Sequence, residues 1–387
     1  MKILGIVMEA NPFHNGHKLF IETCKKEINP DLIVAITSTS FTMRGEISLL
    51  NKFDKTKILL NNGVDIVLEL PIAQSLHSAN NFSKHSILNL SAIGITDIAF
   101  GSESTDLNLL NKFVDLLNQD DVNNFFGVNK DYSISTKNSY KEILKKYISD
   151  EEINIFNKAN VTLGVQYLKT IKDYKLNIIP HIIKRVNSNY HDKFISSNIA
   201  SATAIRQAII NDIKINDTLP PESYNDLIDY KEASKKYIDI IKYKYLLNNN
   251  DNIFLNDEGI NNYIVNNGVF DSIESLQDSL KNKRYTINRI NRQLLYTILD
   301  IKSLPKYSPY LRILGINNLG LKYLNSLNKE QKGLIFSGTK EIKKQNSTIQ
   351  EINELEIKST KLYSILTNNK NLVLNEAKLP IILVERK

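Results

Sequence analysis

The chain predicts an α/β fold: a Rossmann-like parallel-sheet domain over residues 1–215, followed by a mainly helical C-terminal domain over residues 216–387. Three observations predict it. Short apolar runs alternate with stretches of helical spacing in the N-terminal half, the pattern of a parallel sheet covered on both faces. A turn bearing Gly, Pro and Asn follows the first run directly. Near residue 216, polar turn formers and two prolines interrupt the alternation.

The elements follow in order. Ile3 to Met8 is the first apolar run, and His17 to Lys26 has helical spacing. Leu32 to Thr37, rich in Ile and Val, is a second strand, followed by a helix from Asp54 to Asn61. Asp65 to Leu70 is a third strand, ended by Pro71, and Asn81 to Ala92 a helix. Asp97 to Phe100 is a fourth strand, expected to stop at Gly101. Leu163 to Tyr174 is a helix, and Ile178 to Ile183 a fifth strand whose Pro180 places it at an edge. Ala202 to Ile210 closes the unit as a helix. After Asn216-Asp217-Thr218-Leu219-Pro220-Pro221-Glu222 the pattern is helical at Tyr224–Leu247, Ser272–Leu280 and Tyr285–Ile301. Two late runs, Leu372–Leu374 and Pro380–Val384, are expected as strands.

Composition bounds the function. With 387 residues, 42% hydrophobic and 24% charged, the chain can bury a large core and is not disordered as a whole. A net charge of +7 suits a phosphate-rich partner such as RNA. The abundance of Asn, Ile and Lys also fits an A+T-rich genome, which accounts for part of that charge. Cys24 is the only cysteine, so no internal disulfide and no cysteine-based zinc site can form. The apolar start, Met1 to Val7, is too short for a signal peptide, and no run of about 18 apolar residues occurs. A cytoplasmic protein with no membrane association is expected.

The chemistry lies in the first turn. Nucleotide phosphates need backbone N–H groups and side-chain donors held without strain. A strand ending at Met8 and a helix opening near His17 offer such a place at the carboxyl edge of a parallel sheet. Pro12 stiffens the approach, and Gly16 leaves room for close backbone approach. His14 and His17, three residues apart, can aim both rings at one phosphate cluster and stabilise an in-line transfer. They are the expected catalytic pair. The whole segment Val7, Met8, Glu9, Ala10, Asn11, Pro12, Phe13, His14, Asn15, Gly16, His17 is assigned to ATP. The competing readings are solvent-exposed histidines and a metal site. For a metal, only Glu9 stands nearby as a third ligand, and no resident metal site is assigned.

This segment resembles the HxGH turn of the nucleotidyltransferase superfamily that includes class I aminoacyl-tRNA synthetases. More narrowly, it resembles the bacterial tRNA(Met) cytidine acetate ligases. The likeness runs through Ser40–Glu46, Gly63–Pro71, Phe100–Glu103, Tyr190–Asp192 and Ile199–Arg206. It resumes at Lys283–Thr286 with Arg289 and Arg292, and at Pro309–Gly315. Ala10 departs from it, standing where relatives often carry an aromatic residue. The resemblance implies a nucleotidyltransferase catalytic domain and an enzyme that makes acetyl-adenylate from ATP and acetate. It would then acetylate N4 of the wobble cytidine of elongator tRNA(Met), with Mg²⁺ neutralising the phosphates. It also matches Gly101, Asn160 and Arg185 to ATP-contacting positions.

The remaining candidates carry two readings each. Ser201 and Thr203 open a helix whose N-terminus can hold a phosphate, with Arg206 adding a fork of donors; plain capping with a surface arginine is the alternative. Gly101 either lets a nucleoside lie against the backbone or simply ends a strand. Asn160 either caps its helix or binds adenine. Arg44, in the Thr42–Glu46 turn where Gly45 marks a special backbone conformation, reaches a phosphate or RNA, or is a surface residue. Asp65 begins the third strand, away from its ligand end, and is read as structural. Scattered histidines are commonly structural, and His191 is the strongest exception. Lys281, Lys283, Arg284, Arg289 and Arg292 form an acid-free basic segment around Tyr285. Arg289 and Arg292 would share a helix face that tracks an RNA backbone, and a solvated cationic helix is the alternative. Arg44, Lys283, Arg284, Arg289 and Arg292 are assigned to tRNA.

Two other functions share these features. A small-molecule adenylyltransferase would use the same turn but leaves the basic C-terminal half unexplained. A non-catalytic RNA-binding protein on this fold would not need both histidines.

Overall fold

A computed structural model describes residues 1–128, 141–185, 198–247, 253–255, 260–267, 270–280, 285–378 and 381–385. Five parallel strands form the body of one sheet: β1 (Ile3–Val7), β2 (Leu32–Ser38), β3 (Ile66–Leu70), β4 (Asp97–Ser102) and β5 (Ile179–Lys184). Three more join from the C-terminal half: β6 (Leu311–Asn317), β7 (Ile335–Phe336) and β8 (Ile382–Val384). The order is β5-β4-β1-β2-β3-β6-β7, with β8 also pairing with β6.

Alternation along the strands explains the two-sided burial. Leu32, Val34 and Ile36 of β2 pack with Phe82, Ile87, Leu90, Val161 and Val165 on one face. Ile33 and Ala35 pack with Ile21, Cys24, Ile58 and Leu59 on the other. All seven residues of β2 are buried, as expected of a central parallel strand. β5 is the edge strand, where Pro180 needs no ladder donor on its open side.

Several expectations change. Gly101 does not end the fourth strand: it lies within β4, paired with Ile183, because β5 continues alongside. The stretch from Tyr224 is two helices, Pro221–Asn225 and Tyr230–Leu247. Leu372–Leu374 is not a strand but part of the helix Asn371–Lys378, whereas the Pro380–Val384 run does supply β8. β6 was not anticipated. It pairs antiparallel with β3, so the boundary at residue 216 marks a change of pattern and not a break in the sheet. A largely helical core around Tyr237, Ile241, Ile290 and Leu294 likewise takes in Phe41, Phe53 and Ile72.

Buried charges lock the two halves together. Lys52 Nζ lies 2.6 Å from Glu69, 3.1 Å from Glu356 and 2.6 Å from Glu376. Arg312 of β6 pairs with Glu69 at 3.1 Å and also with Glu376. Burial pushes the Glu356 carboxyl up to about 7, while Lys52 and Arg312 pull Glu376 down to about 2 against its own burial. Asp65 is structural, as read: it accepts from Ile33 N at 2.8 Å and from Asn317 Nδ2 at 2.7 Å. Cys24 is buried among apolar side chains. Among the described residues no helix is long and apolar enough to cross a membrane.

Candidate active site

The carboxyl ends of β1 and β4 open into a cavity of about 310 Å³. All residues assigned to ATP line it except Pro12, Phe13 and Asn15, and Arg44 lines it too. Those three support the turn instead. Phe13 is fully buried and its ring lies 5.6 Å from that of His17. Asn15 Nδ2 donates to Asn198 O at 2.8 Å and to Asp217 O at 3.0 Å, fastening the turn to the approach of the Ser201 helix. Ala10 has φ 47° and is buried without an aromatic ring.

His14 and His17 do come together. Their rings stack at 3.8 Å between centroids. His14 is the N-cap of the helix Asn15–Ile28; its Nδ1 accepts from Gly16 N at 3.0 Å, and His17 Nδ1 accepts from His14 N at 3.3 Å. Each Nδ1 is thereby an acceptor, so in the neutral rings the proton sits on Nε2. Burial, then Arg185 and Arg206, push His14 down to about 3. Burial, then His14, Arg185 and Lys55, push His17 well below its usual range. Both shifts favour the neutral rings, in which each Nε2 carries an N–H donor. Gly16 serves this arrangement: a Cβ there would stand 2.8 Å from His14 Cε1.

The Ser201 helix start behaves as a cap, with Ser201 Oγ accepting from Ala204 N at 3.1 Å. Arg206 is nearly buried and already engaged. It donates to Asn11 O at 2.8 Å and to Thr203 Oγ1 at 3.3 Å, and lies 3.1 Å from Glu46. It therefore ties the histidine turn to the Ser201 helix while lining the cavity. Gly101 brings Arg185 close, since a Cβ there would meet Arg185 Cγ at 3.3 Å. Asn160 does not cap its helix: its Nδ2 donates to Glu103 at 2.7 Å, and its Oδ1 accepts from Arg185 Nη1 at 3.0 Å.

Arg44 sits in a tight turn with Gly45 at φ +76°. A Cβ on Gly45 would stand 2.7 Å from Asn291 C, so this turn is seated directly on the helix Ile287–Ile298. That contact corrects the reading of the basic segment. Arg289 and Arg292 are 1% and 5% exposed and form no solvent-facing stripe. The helix packs into the C-terminal core, and Arg289 donates to Gln293 Oε1 at 3.0 Å and Leu255 O at 2.7 Å. Lys281, Lys283, Arg284 and His191 lie outside the described residues.

Sequence reasoning missed Glu46, which lines the cavity, and Glu103 and Lys55, which support it from behind. Glu46 and Glu103 stood in motifs already singled out, but a lone acid carries no signal of the partner it will meet. Lys55, in an ordinary helical pattern, gave no signal. It is fully buried, donates to Ser38 O at 2.9 Å, and burial brings it down to about 8 against the pull of Glu9 and Glu356. Burial raises Glu9, whose Oε1 accepts from Met43 N at 2.7 Å. Among the described residues no three His, Cys, Asp or Glu side chains gather as a metal cage. The donor set is compatible with Mg²⁺ carried mainly by phosphates and water, as this ion prefers.

A parallel sheet, a capped His-x-Gly-His turn at its carboxyl edge and a second capped helix facing it define a nucleotidyltransferase. The family described as HIGH Nucleotidyl Transferase matches residues 1–377. The tRNA(Met) cytidine acetate ligase of Caldicellulosiruptor saccharolyticus is 34% identical over 385 residues, 94% of each chain. That of Clostridium novyi is 34% identical, covering 95% of this chain and 96% of its own. The solved structure of apo Thermotoga maritima TmcAL superposes with a TM-score of 0.87 at 29% identity, over the whole of both chains. The same protein bound with alpha-thio ATP gives 0.85 at 27%, again over both whole chains. The chain belongs to the HIGH nucleotidyltransferases and, within them, to the tRNA(Met) cytidine acetate ligase family.

Proposed function

We propose that the chain is an ATP-dependent ligase that activates acetate as acetyl-adenylate and transfers the acetyl group to N4 of the wobble cytidine of elongator tRNA(Met). The observation that carries the reading is the His14–His17 stack, with both Nδ1 atoms occupied by backbone donors; burial favours the neutral form of both rings. Two Nε2–H groups are left to meet charge that builds on the phosphates, and preorganised donors in a water-poor cleft are the most effective kind. An acetate oxygen attacks the α-phosphorus, and the bond to pyrophosphate breaks. The cytidine amine then attacks the acetyl carbonyl carbon, loses a proton, and AMP leaves. Mg²⁺ bound with ATP supplies charge neutralisation on the phosphates.

RNA would approach along the Arg44 turn and the C-terminal half, with Lys283 and Arg284 keeping the role that the sequence assigns them. Arg289 and Arg292 act through the packing of their helix. The test is incubation with ATP, labelled acetate and total tRNA, followed by nucleoside analysis. Label is expected in N4-acetylcytidine. Active acetate-dependent pyrophosphate exchange without acetylated nucleoside would sink the RNA step. Adenylylation of a small molecule in its place would assign the cleft to an adenylyltransferase.

A further inference from the structure

One wall of the cleft is backed by a chain of hydrogen-bonded polar groups. Glu103, just past β4, sends its two carboxylate oxygens in two directions. Oε1 accepts from Asn160 Nδ2 at 2.7 Å, and Oε2 accepts from the backbone N of Val161 at 3.2 Å. Asn160 Oδ1 in turn accepts from Arg185 Nη1 at 3.0 Å. The helix Ala159–Asp173 has no side-chain cap from its own N-cap residue, Lys158, so Glu103 supplies the missing acceptor at its first turn.

The chemistry of the three groups fixes the polarity of the middle one. A carboxylate only accepts, and a guanidinium only donates. An asparagine between them has one permitted orientation, with Nδ2 towards Glu103 and Oδ1 towards Arg185. Flipped, it would set oxygen against oxygen and N–H against N–H. One Nδ2 hydrogen and one Oδ1 lone pair remain for a ligand, and Asn160 and Arg185 both line the cleft. Arg185 is otherwise an exposed side chain just past the edge strand β5. Held through Asn160, it loses less rotamer freedom when a ligand arrives.

We propose that Glu103 is a positioning residue for ATP, which sets the polarity of the Asn160 amide and through it the place of the Arg185 guanidinium. The inference rests on the reading of this cleft as the ATP site. Glu103 itself is not among the cavity-lining residues.

The experiment compares wild type with E103Q, E103D, N160A and R185A in acetate-dependent pyrophosphate exchange, recording KM for ATP and kcat separately. Glutamine can donate as well as accept, so E103Q keeps the size of the side chain and removes the lock. Its KM for ATP should rise roughly tenfold, the loss of about one hydrogen bond to a charged group, with kcat within about twofold. E103D keeps the acceptor-only chemistry and should recover at least half of that loss on a logarithmic scale. N160A should raise KM similarly, and adding E103Q to N160A should cost little more, because the lock acts through Asn160. A lower melting temperature for E103Q with unchanged KM would make Glu103 a helix cap only and overturn the proposal. Additive effects of E103Q and N160A would overturn it as well. If N160A and R185A both leave KM for ATP unchanged, the reading of this wall as ATP-binding fails, and the proposal falls with it.

Discussion

Replacing Gly16 with Ala tests the histidine stack without touching either histidine. The backbone at this position is not in the left-handed region, where the structure places Gly45, Gly63 and Gly94. Alanine should therefore suit the helix start, and by propensity is favoured over glycine by roughly 0.5–1 kcal/mol. The added Cβ stands 2.8 Å from His14 Cε1 and 2.9 Å from its Nδ1. Comfortable contact begins near ~3.5 Å, so the ring must retreat by roughly 0.7 Å, or a little more if it tilts. That retreat stretches the 3.0 Å bond from Gly16 N and disturbs the 3.8 Å stack on His17. A misplacement near 1 Å at a reacting centre costs on the order of 10²-fold in rate. Acetate-dependent pyrophosphate exchange by Gly16→Ala should fall by about that factor, with the melting temperature and tRNA affinity held. Exchange within about threefold of wild type would refute the assignment of the His14 ring to the transferring phosphate.

Three more outcomes follow from burial. His14 and His77 are both pushed down to about 3, chiefly by burial. Their unfolded forms bind protons below about 6.5 while the folded forms do not. Stability should thus be complete above pH 6.5 and fall as the pH drops, by about 1.4 kcal/mol per histidine between pH 7.5 and 5.5; urea unfolding that gains stability on acidification would contradict this. The Cys24 thiol, pushed up to about 12 by burial, should resist a thiol reagent at pH 8 in the native protein and react at once in denaturant. Lys52→Met removes the cation that Glu69, Glu356 and Glu376 share, and leaves Arg312 paired with Glu69 and Glu376 only. It should cost about 3–5 kcal/mol, as losing one partner of a buried ion cluster does, and a loss under about 1 kcal/mol in denaturant titration would show that the cluster relaxes.

The central strands were legible because burial on both faces leaves a nearly continuous apolar run, as in Leu32–Thr37, and Pro180 identified an edge by what it lacks. Leu311–Asn317 was not legible as a strand. It carries Arg312, whose burial depends on Glu69 and Glu376, hundreds and tens of residues away. Leu372–Leu374 misled for the complementary reason: three apolar residues look like a strand until Glu376, one helical turn further on, is pulled inward by Lys52 and Arg312. The histidine turn was legible because its residues are contiguous. The neutral state of its histidines was not, since it depends on burial and on Arg185 and Arg206 arriving from distant segments. Arg289 and Arg292 show the same limit in reverse: a basic, acid-free segment looks solvated until the helices that cover it are in place.

The position of β6 bears on how the protein is made. During synthesis β3 is complete after residue 70, but its antiparallel neighbour begins only at Leu311. At about 5–20 residues per second, the growing chain waits roughly 10–50 s with a hydrophobic strand edge unpaired and with Lys52 and Glu69 lacking Arg312, Glu356 and Glu376. A fragment ending at residue 215 should therefore aggregate where the full chain stays dispersed. The nucleotide-handling half becomes a finished object only when the half proposed to meet RNA has been translated, which makes the two inseparable in production as well as in structure.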